Sequence, residues 1–362
     1  MHRDYRAVTE AAIAVDTHAD TFGRVLDEGL DFLNARSGLA VTLPGMQTGG
    51  LDLQIFALYV APGLPPGGTI KRTLQMAGCF FQAVAASQAR FRLVENTEDI
   101  TQSIASGAKC GMLSVEGGHA LEGDLNLLRS LRALGVTSMT LTHSNSNEFA
   151  DSSQGERVWG GLNQLGRKVI AEMNRIRMLV DVSHTSDEAV DAAVACSKFP
   201  VIASHSCCYA VCQHPRNLPD ELLKKIARRG GVIHMAYYPP FLDPHAAAVF
   251  ESNWHRLHST WFASSDGAPD MAGFYAACME GVPEVPLSKL CDHIDHAVSV
   301  AGIDHVGLGS DWDGASTVVR GLETCAALPE ITAALLERGY GESDVQKILG
   351  GNFMRVVKEV LG

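Results

Sequence analysis

The 362-residue chain is predicted to be an α/β protein, a (β/α)8 TIM barrel, on three observations. Eight apolar runs of strand length recur along it, most of them near-continuous, as expected of parallel strands covered on both faces. Amphipathic stretches alternate with those runs, the pattern of repeated βα units. Residues able to carry chemistry follow the first, third, fourth, fifth, sixth and eighth runs. A doubly wound sheet would give a similar alternation, but it gathers ligands from a few neighbouring strands at one crevice. A closed barrel brings every strand end round one mouth, and that placement decides for the barrel.

The expected strands are Ala12–Thr17, Leu53–Val60, Gly111–Val115, Thr137–Thr142, Met178–Ser183, Val201–Ser204, Gly231–Ala236 and His305–Gly309. Helical periodicity occupies Leu125–Leu134, Gly161–Arg177, Ser186–Ala195 and Leu287–Ala301. Ser186, followed by Asp187 and Glu188, reads as an N-cap with acids in the first turn. Two stretches read as irregular: Ala61–Thr69, rich in Pro and Gly, and Tyr237–Val285 after the seventh strand. The second is too long for an ordinary connection and is expected to cover part of the mouth as a lid or insertion. No domain boundary or solenoid repeat interrupts residues 1–362, which suits one barrel domain of this length.

Hydrophobic residues make up 46% and charged residues 19%, the composition of a soluble globular protein with a large core. The net charge of −12, without a lysine or arginine run, argues against nucleic acid or an anionic membrane as partner. The start, Met1-His2-Arg3-Asp4-Tyr5-Arg6, has no apolar signal region, and no segment is long and apolar enough to span a bilayer. Nine irregularly spaced cysteines are expected to be reduced thiols of a cytoplasmic protein. Cys207, Cys208 and Cys212 lie close to His205 and could in principle bind zinc. Without a Cys-x-x-Cys pair, buried thiols are the better reading.

Glu116, in Ser114-Val115-Glu116-Gly117-Gly118-His119, completes a set with His18 and Asp20, His184 and His205. These five potential ligands stand at the ends of four strands. His18 and Asp20 are two residues apart and therefore point to one side of an extended segment. Their imidazole and carboxylate suit zinc or a similar divalent ion. His184 and His205, from adjacent strands, could hold a second ion, with Glu116 shared between the two. A bridging water would then lose a proton near neutral pH and act as nucleophile. Any one of the 14 histidines is more simply a packed core residue. Glu116 is harder to explain that way, because a carboxylate at an apolar strand end needs a partner to offset burial.

These residues resemble the renal (membrane) dipeptidase family of binuclear zinc peptidases, within the amidohydrolase-like barrels. The likeness is carried by Asp16-Thr17-His18-Ala19-Asp20, Glu116-Gly117-Gly118-His119, Leu141-Thr142-His143-Ser144 and Asp181-Val182-Ser183-His184. It continues through Ser204-His205-Ser206, Arg216-Asn217-Leu218-Pro219-Asp220, Gly309-Ser310-Asp311-Trp312-Asp313-Gly314 and Gly350-Gly351-Asn352-Phe353. The resemblance implies two zinc ions, one on His18 and Asp20 and one on His184 and His205, bridged by Glu116. It also implies that His143, Arg216 and Asp311 handle a small dipeptide substrate, in some members with a D-residue at the C-terminal position.

The chemistry of those three residues is sensible in itself. His143 could donate a hydrogen bond to an oxyanion, although a core histidine is a competing reading. Arg216 could clamp a terminal carboxylate, although a surface ion pair is the default for an arginine. Asp311 could pass a proton from the attacking water to the leaving amine, with Asp313 the natural confusion. Animal members are secreted and lipid-anchored; this chain resembles a soluble microbial-type member, acting as one chain or as a homodimer. The competing expectations are another reaction on the same metals (lactone, cyclic amide or phosphoester hydrolysis) and a barrel kept as a non-catalytic module.

Overall fold

The computed structural model describes residues 4–263 and 271–362. Its strands are β1 (Val15–Ala19), β2 (Leu53–Tyr59), β3 (Phe91–Leu93), β4 (Lys109–Glu116), β5 (Val136–Thr140), β6 (Leu179–Asp181), β7 (Ile202–Ser206), β8 (Val232–Met235) and β9 (Val306–Leu308). The strand pairs are parallel, in the order β1-β2-β4-β5-β6-β7-β8-β9, with β3 joined to β4 outside that path. β9 meets β1 not by a long ladder but through the parallel bridge of Ala19 with Trp312. Two hydrogen bonds support this closure: Asp20 N–H to the Trp312 carbonyl at 2.9 Å and Asp311 N–H to the His18 carbonyl at 3.1 Å. The result is a nearly closed eight-stranded barrel, as expected from the placement of chemistry-bearing residues after so many of the runs. Among the described residues, no helix is long and apolar enough to cross a membrane.

Each of the eight expected strands has its counterpart, with shifted ends. The first differs most: it runs over Val15–Ala19 rather than Ala12–Thr17, so His18 lies within the strand. Polarity did not end this strand, because its polar side chains are buried inside the barrel. β3 was not foreseen, and three residues are too few to show a period. Leu287–Ala301 is a helix with the expected bounds, and Ser186 caps the helix Asp187–Cys196 by accepting the Ala189 N–H.

The two stretches expected to be irregular need correction. Ala61–Thr69 already contains the start of a 19-residue helix, Gly68–Ala86. Tyr237–Val285 contains the helices Pro239–Leu242, Pro244–Ala263 and Met271–Cys278, while its residues 264–270 lie outside the described residues. Pro62, Pro65 and Pro66 of the first stretch precede the Gly68–Ala86 helix. Pro239, Pro240 and Pro244 of the second stand in first turns, where no N–H is needed for the helical ladder.

Strand periodicity decides what enters the barrel. Alternate residues of β4 (Cys110, Met112, Ser114 and Glu116) share one side, as do Leu53, Ile55, Ala57 and Tyr59 of β2. The early members of both series join a buried cluster with Val15, Leu179, Ile202 and Val232 and with the C-terminal helix Asn352–Val360. That helix therefore closes the end of the barrel where the strands begin. Asn352 anchors it, donating from Nδ2 to the carbonyls of Ile303 (2.7 Å) and Val306 (2.8 Å). The late members, Glu116 and Tyr59, are left to face the opposite mouth.

Below that mouth the barrel is tightly filled. Thr17 Oγ1 crosses it to the carbonyls of Ser204 (2.6 Å) and Leu308 (3.1 Å). A Cβ on Gly309 would lie 1.8 Å from the Ser204 carbonyl oxygen, which is backbone and cannot swing aside. Gly309→Ala is therefore expected to lower stability by about 1–3 kcal/mol or more in urea unfolding. An unchanged midpoint would show that the strands can separate there at little cost.

Candidate functional site

Two buried aspartates fix the strand ends before any functional side chain is considered. Asp16 accepts from the His18 N–H (3.2 Å), Gln54 Nε2 (2.8 Å), Ser310 N–H (2.8 Å) and Ser310 Oγ (3.0 Å), tying β1 to its neighbours on both sides. Burial raises its carboxyl to about 6, against the pull of these donors. Asp181 does the same for β5, β6 and β7, accepting from Thr140 Oγ1 (2.9 Å), the N–H groups of Ser183 and Ser204 (both 3.0 Å) and Ser204 Oγ. Ser204 Oγ also lies 2.8 Å from His205 Nδ1. With its hydroxyl proton given to Asp181, that oxygen accepts the Nδ1 proton and leaves the Nε2 lone pair of His205 free. His184 and Asp311 sit at φ +64° and +66°, where a residue with a Cβ is strained and persists only if its surroundings enforce it.

Held in this way, the residues singled out in the sequence converge. Glu116 Oε1 lies 3.0 Å from His184 Nε2, 3.4 Å from His18 Nε2, 3.4 Å from His205 Nε2 and 3.9 Å from His143 Nε2. Asp20 Oδ2 is 3.4 Å from His18 Nε2, and the Nε2 atoms of His184 and His205 are 2.8 Å apart. Apart from Asp20, whose side chain is 15% exposed, these groups are nearly out of contact with solvent, so their charges are poorly screened. Burial opposes ionisation of Glu116, yet His18 and His143 hold its carboxyl well below the usual range. Burial likewise opposes the charge on His18, which Glu116 and Asp20 hold well above the usual range. Burial keeps His184 and His205 neutral, and it raises Asp20 to about 6 with help from Glu116.

Such a set fits divalent cations. Three groups of donor atoms each lie within 4.8 Å of one another: His18, Glu116 and His205; Glu116, His143 and His184; and His18, Asp20 and Asp311. His18 Nε2 is buried with no hydrogen-bond partner, although it stands between two carboxylates. Neutral imidazoles with free lone pairs, clustered round carboxylates, are the ligands that zinc-like ions take. Glu116 belongs to two of the three groups, as a shared ligand would. The cysteines stand apart: Cys207, Cys208 and Cys212 donate to the carbonyls of Ala236, His293 and Pro240, and burial pushes their thiols up.

The remaining candidates border the same cavity of about 560 Å³. Arg216 is only 2% exposed, so it is not a surface ion-pair residue. One of its Nη atoms donates to the His205 carbonyl at 2.9 Å, its Nε is without a partner, and Phe241 lies beneath the guanidinium at 5.2 Å. Burial lowers its pKa to about 10, against the attraction of Asp311 and Glu116. His143 stacks between Tyr59 and His184, each ring 4.2 Å away, and burial lowers it to about 4 despite Glu116. Asp311 is raised to about 8, first by burial and then by Asp20 and Glu116, against the pull of His18. A Cβ on Gly314 would fall 2.1 Å from Asp20 Oδ2 and 2.7 Å from Asp311 Oδ1, so only glycine leaves room between these carboxylates.

Asp313 is separated from Asp311 by its contacts. It accepts from Thr21 Oγ1 (2.7 Å), an Arg24 Nη (3.0 Å) and the N–H groups of Ala40 (2.8 Å) and Val41 (3.2 Å). Its acceptor capacity is spent on holding the loop before Leu43. Tyr59, Tyr238 and Tyr275 also line the cavity and were not singled out in the sequence. Tyr59 did leave a signal, as the last inward member of the β2 series. The other two owe their place to tertiary packing.

Comparison with known proteins gives the chain's family and fold. The sequence model of the membrane dipeptidases (peptidase family M19) matches residues 2–361. The chain is 34% identical over 272 residues to dipeptidase tcpJ of Claviceps purpurea (strain 20.1), covering 75% of this chain and 56% of that protein. It thus spans little more than half the length of that relative. The crystal structure of the probable dipeptidase PvdM from Pseudomonas aeruginosa shares the fold, with a TM-score of 0.86 at 24% identity over 99% of this chain and 97% of that one. A metallo peptidase from Rhodobacter sphaeroides, liganded with a phosphinate mimic of the dipeptide L-Ala-D-Ala, superposes with a TM-score of 0.80 at 25% identity, covering 96% and 99% of the two chains. The chain belongs to the membrane dipeptidase family, peptidase family M19.

Proposed function

We propose that the protein is a metal-dependent dipeptidase that hydrolyses the peptide bond of free dipeptides, using two zinc ions or similar divalent metals. The observation that carries this reading is one Glu116 oxygen with four imidazole nitrogens within 3.9 Å, in the same cavity as a buried arginine. Family membership and the dipeptide mimic bound by the Rhodobacter sphaeroides peptidase support it. That mimic also supports including a C-terminal D-residue among the substrates. Cytoplasmic location is part of the proposal and rests on nine cysteines that are all free thiols. We take the described helices within residues 237–285 as a partial cover on a single barrel domain.

In this reading His18 and Asp20 would hold one ion and His184 and His205 the other, with Glu116 available to both. Bound there, divalent ions would lower the pKa of a water molecule and polarise the scissile carbonyl. The chain's own groups do the rest. Arg216, pinned by the His205 carbonyl, keeps its orientation while pairing with the substrate's terminal carboxylate. His143, kept neutral by burial, donates an N–H hydrogen bond to the oxygen that gains charge. Asp311 takes a proton at its carboxylate from the attacking water and delivers it to the departing amine nitrogen. A fixed cation near the ligand cluster selects dipeptides, because only a carboxylate one residue beyond the scissile bond reaches it.

Assay of the metal-loaded protein against L-Ala-L-Ala and L-Ala-D-Ala tests the reading. Dipeptide hydrolysis is expected; inactivity across a dipeptide panel, with lactone or phosphoester hydrolysis instead, would overturn it. Arg216→Met is expected to lower kcat/KM for free dipeptides by about ten- to a hundredfold. Dipeptide amides, which lack the carboxylate, should be poor substrates for both proteins and little affected by the change. Equal cleavage of dipeptides and amides, with the variant affecting both alike, would remove the clamp role.

The two neighbouring aspartates are expected to separate in a different way. Asp311→Asn should retain metal and stability but lose about a hundredfold or more in kcat. Asp313→Asn should retain most activity while losing about 1.5–3 kcal/mol of unfolding free energy, as hydrogen bonds to a buried carboxylate weaken. The reverse pattern would transfer the proton-shuttling role to Asp313.

A further inference from the structure

The helical insertion that follows β8 brings Tyr238, Phe241, Phe250 and Tyr275 to the cavity from outside the barrel, and Tyr275 comes from its last described helix. Tyr275, on Met271–Cys278, lines the same space as Glu116, His143, Arg216 and Asp311. Its hydroxyl lies 3.2 Å from Ser144 Oγ, in the residue next to His143. The insertion holds this ring on an aromatic platform. Trp254 packs edge-on against Phe274 (4.8 Å) and touches the Tyr275 ring (5.8 Å), while Phe250 joins Trp254 to Tyr238. Asn253 Nδ2 ties the two long helices together through the Cys278 carbonyl at 3.0 Å. Tyr238 in turn donates to Met279 Sδ at 3.3 Å.

A ring so braced is not free to yield to a longer ligand. Burial keeps the phenol un-ionised, with Glu116 and Asp311 adding to that effect and Ser144 and Arg216 opposing it. Those four groups surround the space that the scissile bond and the terminal carboxylate would share. We infer that Tyr275 is a specificity-determining residue: its ring, latched to Ser144, is the ceiling that limits the peptide to one residue beyond the scissile bond. This role rests on the dipeptidase reading and adds to it. Arg216 rewards a carboxylate at the right distance, whereas Tyr275 excludes chain that continues past it.

The test compares metal-loaded wild-type protein with Tyr275→Ala and Tyr275→Phe on L-Ala-L-Ala and L-Ala-L-Ala-L-Ala. Tyr275→Ala should raise the tripeptide-to-dipeptide ratio of kcat/KM at least about tenfold, since space for added groups is worth that much in a closed pocket. Tyr275→Phe keeps the ring and loses only the latch. It should leave that ratio within about twofold of wild type while lowering dipeptide kcat/KM by about two- to tenfold, as for one neutral hydrogen bond. Thermal unfolding and metal content of both variants, unchanged from wild type, would show that the ratio reports the pocket. Calorimetric affinity for the phosphinate mimic of L-Ala-D-Ala gives a readout independent of turnover, and it should fall more for Tyr275→Ala than for Tyr275→Phe. If wild type cleaves dipeptides and the ratio does not move in Tyr275→Ala, the ceiling is wrong and the dipeptidase reading stands. If wild type cleaves no dipeptide and does not bind the mimic, both fall.

Discussion

The site depends on one unfavourable act of burial, the placing of the Glu116 carboxylate inside the barrel mouth, only 3% exposed. An isolated carboxylate there would protonate rather than remain charged. It stays ionised because imidazoles from β1, β7 and the loops after β5 and β6 all turn toward it. The histidines have the opposite difficulty, since burial favours their neutral forms and they stand against one another, His184 and His205 at 2.8 Å. Negative and positive demands are balanced only in part by the protein itself. The excess of lone pairs is what a pair of cations would satisfy.

Such convergence requires strand ends that do not move. Asp16 and Asp181 supply this, each taking four donors, three of them from neighbouring strand ends, and so fixing β1 against β9 and β6 against β7. The positive φ of His184 and Asp311 is tolerated because these frames leave the chain no easier course. Above this rigid floor, the aromatic side chains of the insertion shape the space a substrate would enter. In the proposed reading the barrel carries both the reacting groups and the Arg216 clamp, and the segment between β8 and β9 adds a limit on substrate length.

Much of this was legible in the sequence, for physical reasons that differ by residue. The barrel strands could be read because they are buried on both faces and hence mostly apolar, although β1, β5 and β7 also bury polar residues. The candidate ligands could be read because polar side chains in or ending such runs, like His18 and Glu116, are costly without a purpose. Asp311 and Asp313 could not be told apart by residue type. What separates them is Arg24 and the N–H groups of Ala40 and Val41, hundreds of residues away along the chain. Length alone marks Tyr237–Val285 as an insertion and does not resolve the helices within it. Tyr275 carried no local signal at all, because its place depends on Trp254, Phe274 and Ser144.

The central claim is that Glu116 is a charged ligand shared by two metal ions, and metal content measures it directly. Purified protein and Glu116→Gln should be compared by elemental analysis after dialysis at neutral pH. The amide keeps the size of the side chain and removes the charge that screens two cations from each other. Two divalent ions per chain are expected in the unaltered protein, with at least one lost in the variant. Two ions retained at unchanged affinity in Glu116→Gln would contradict the shared-ligand account.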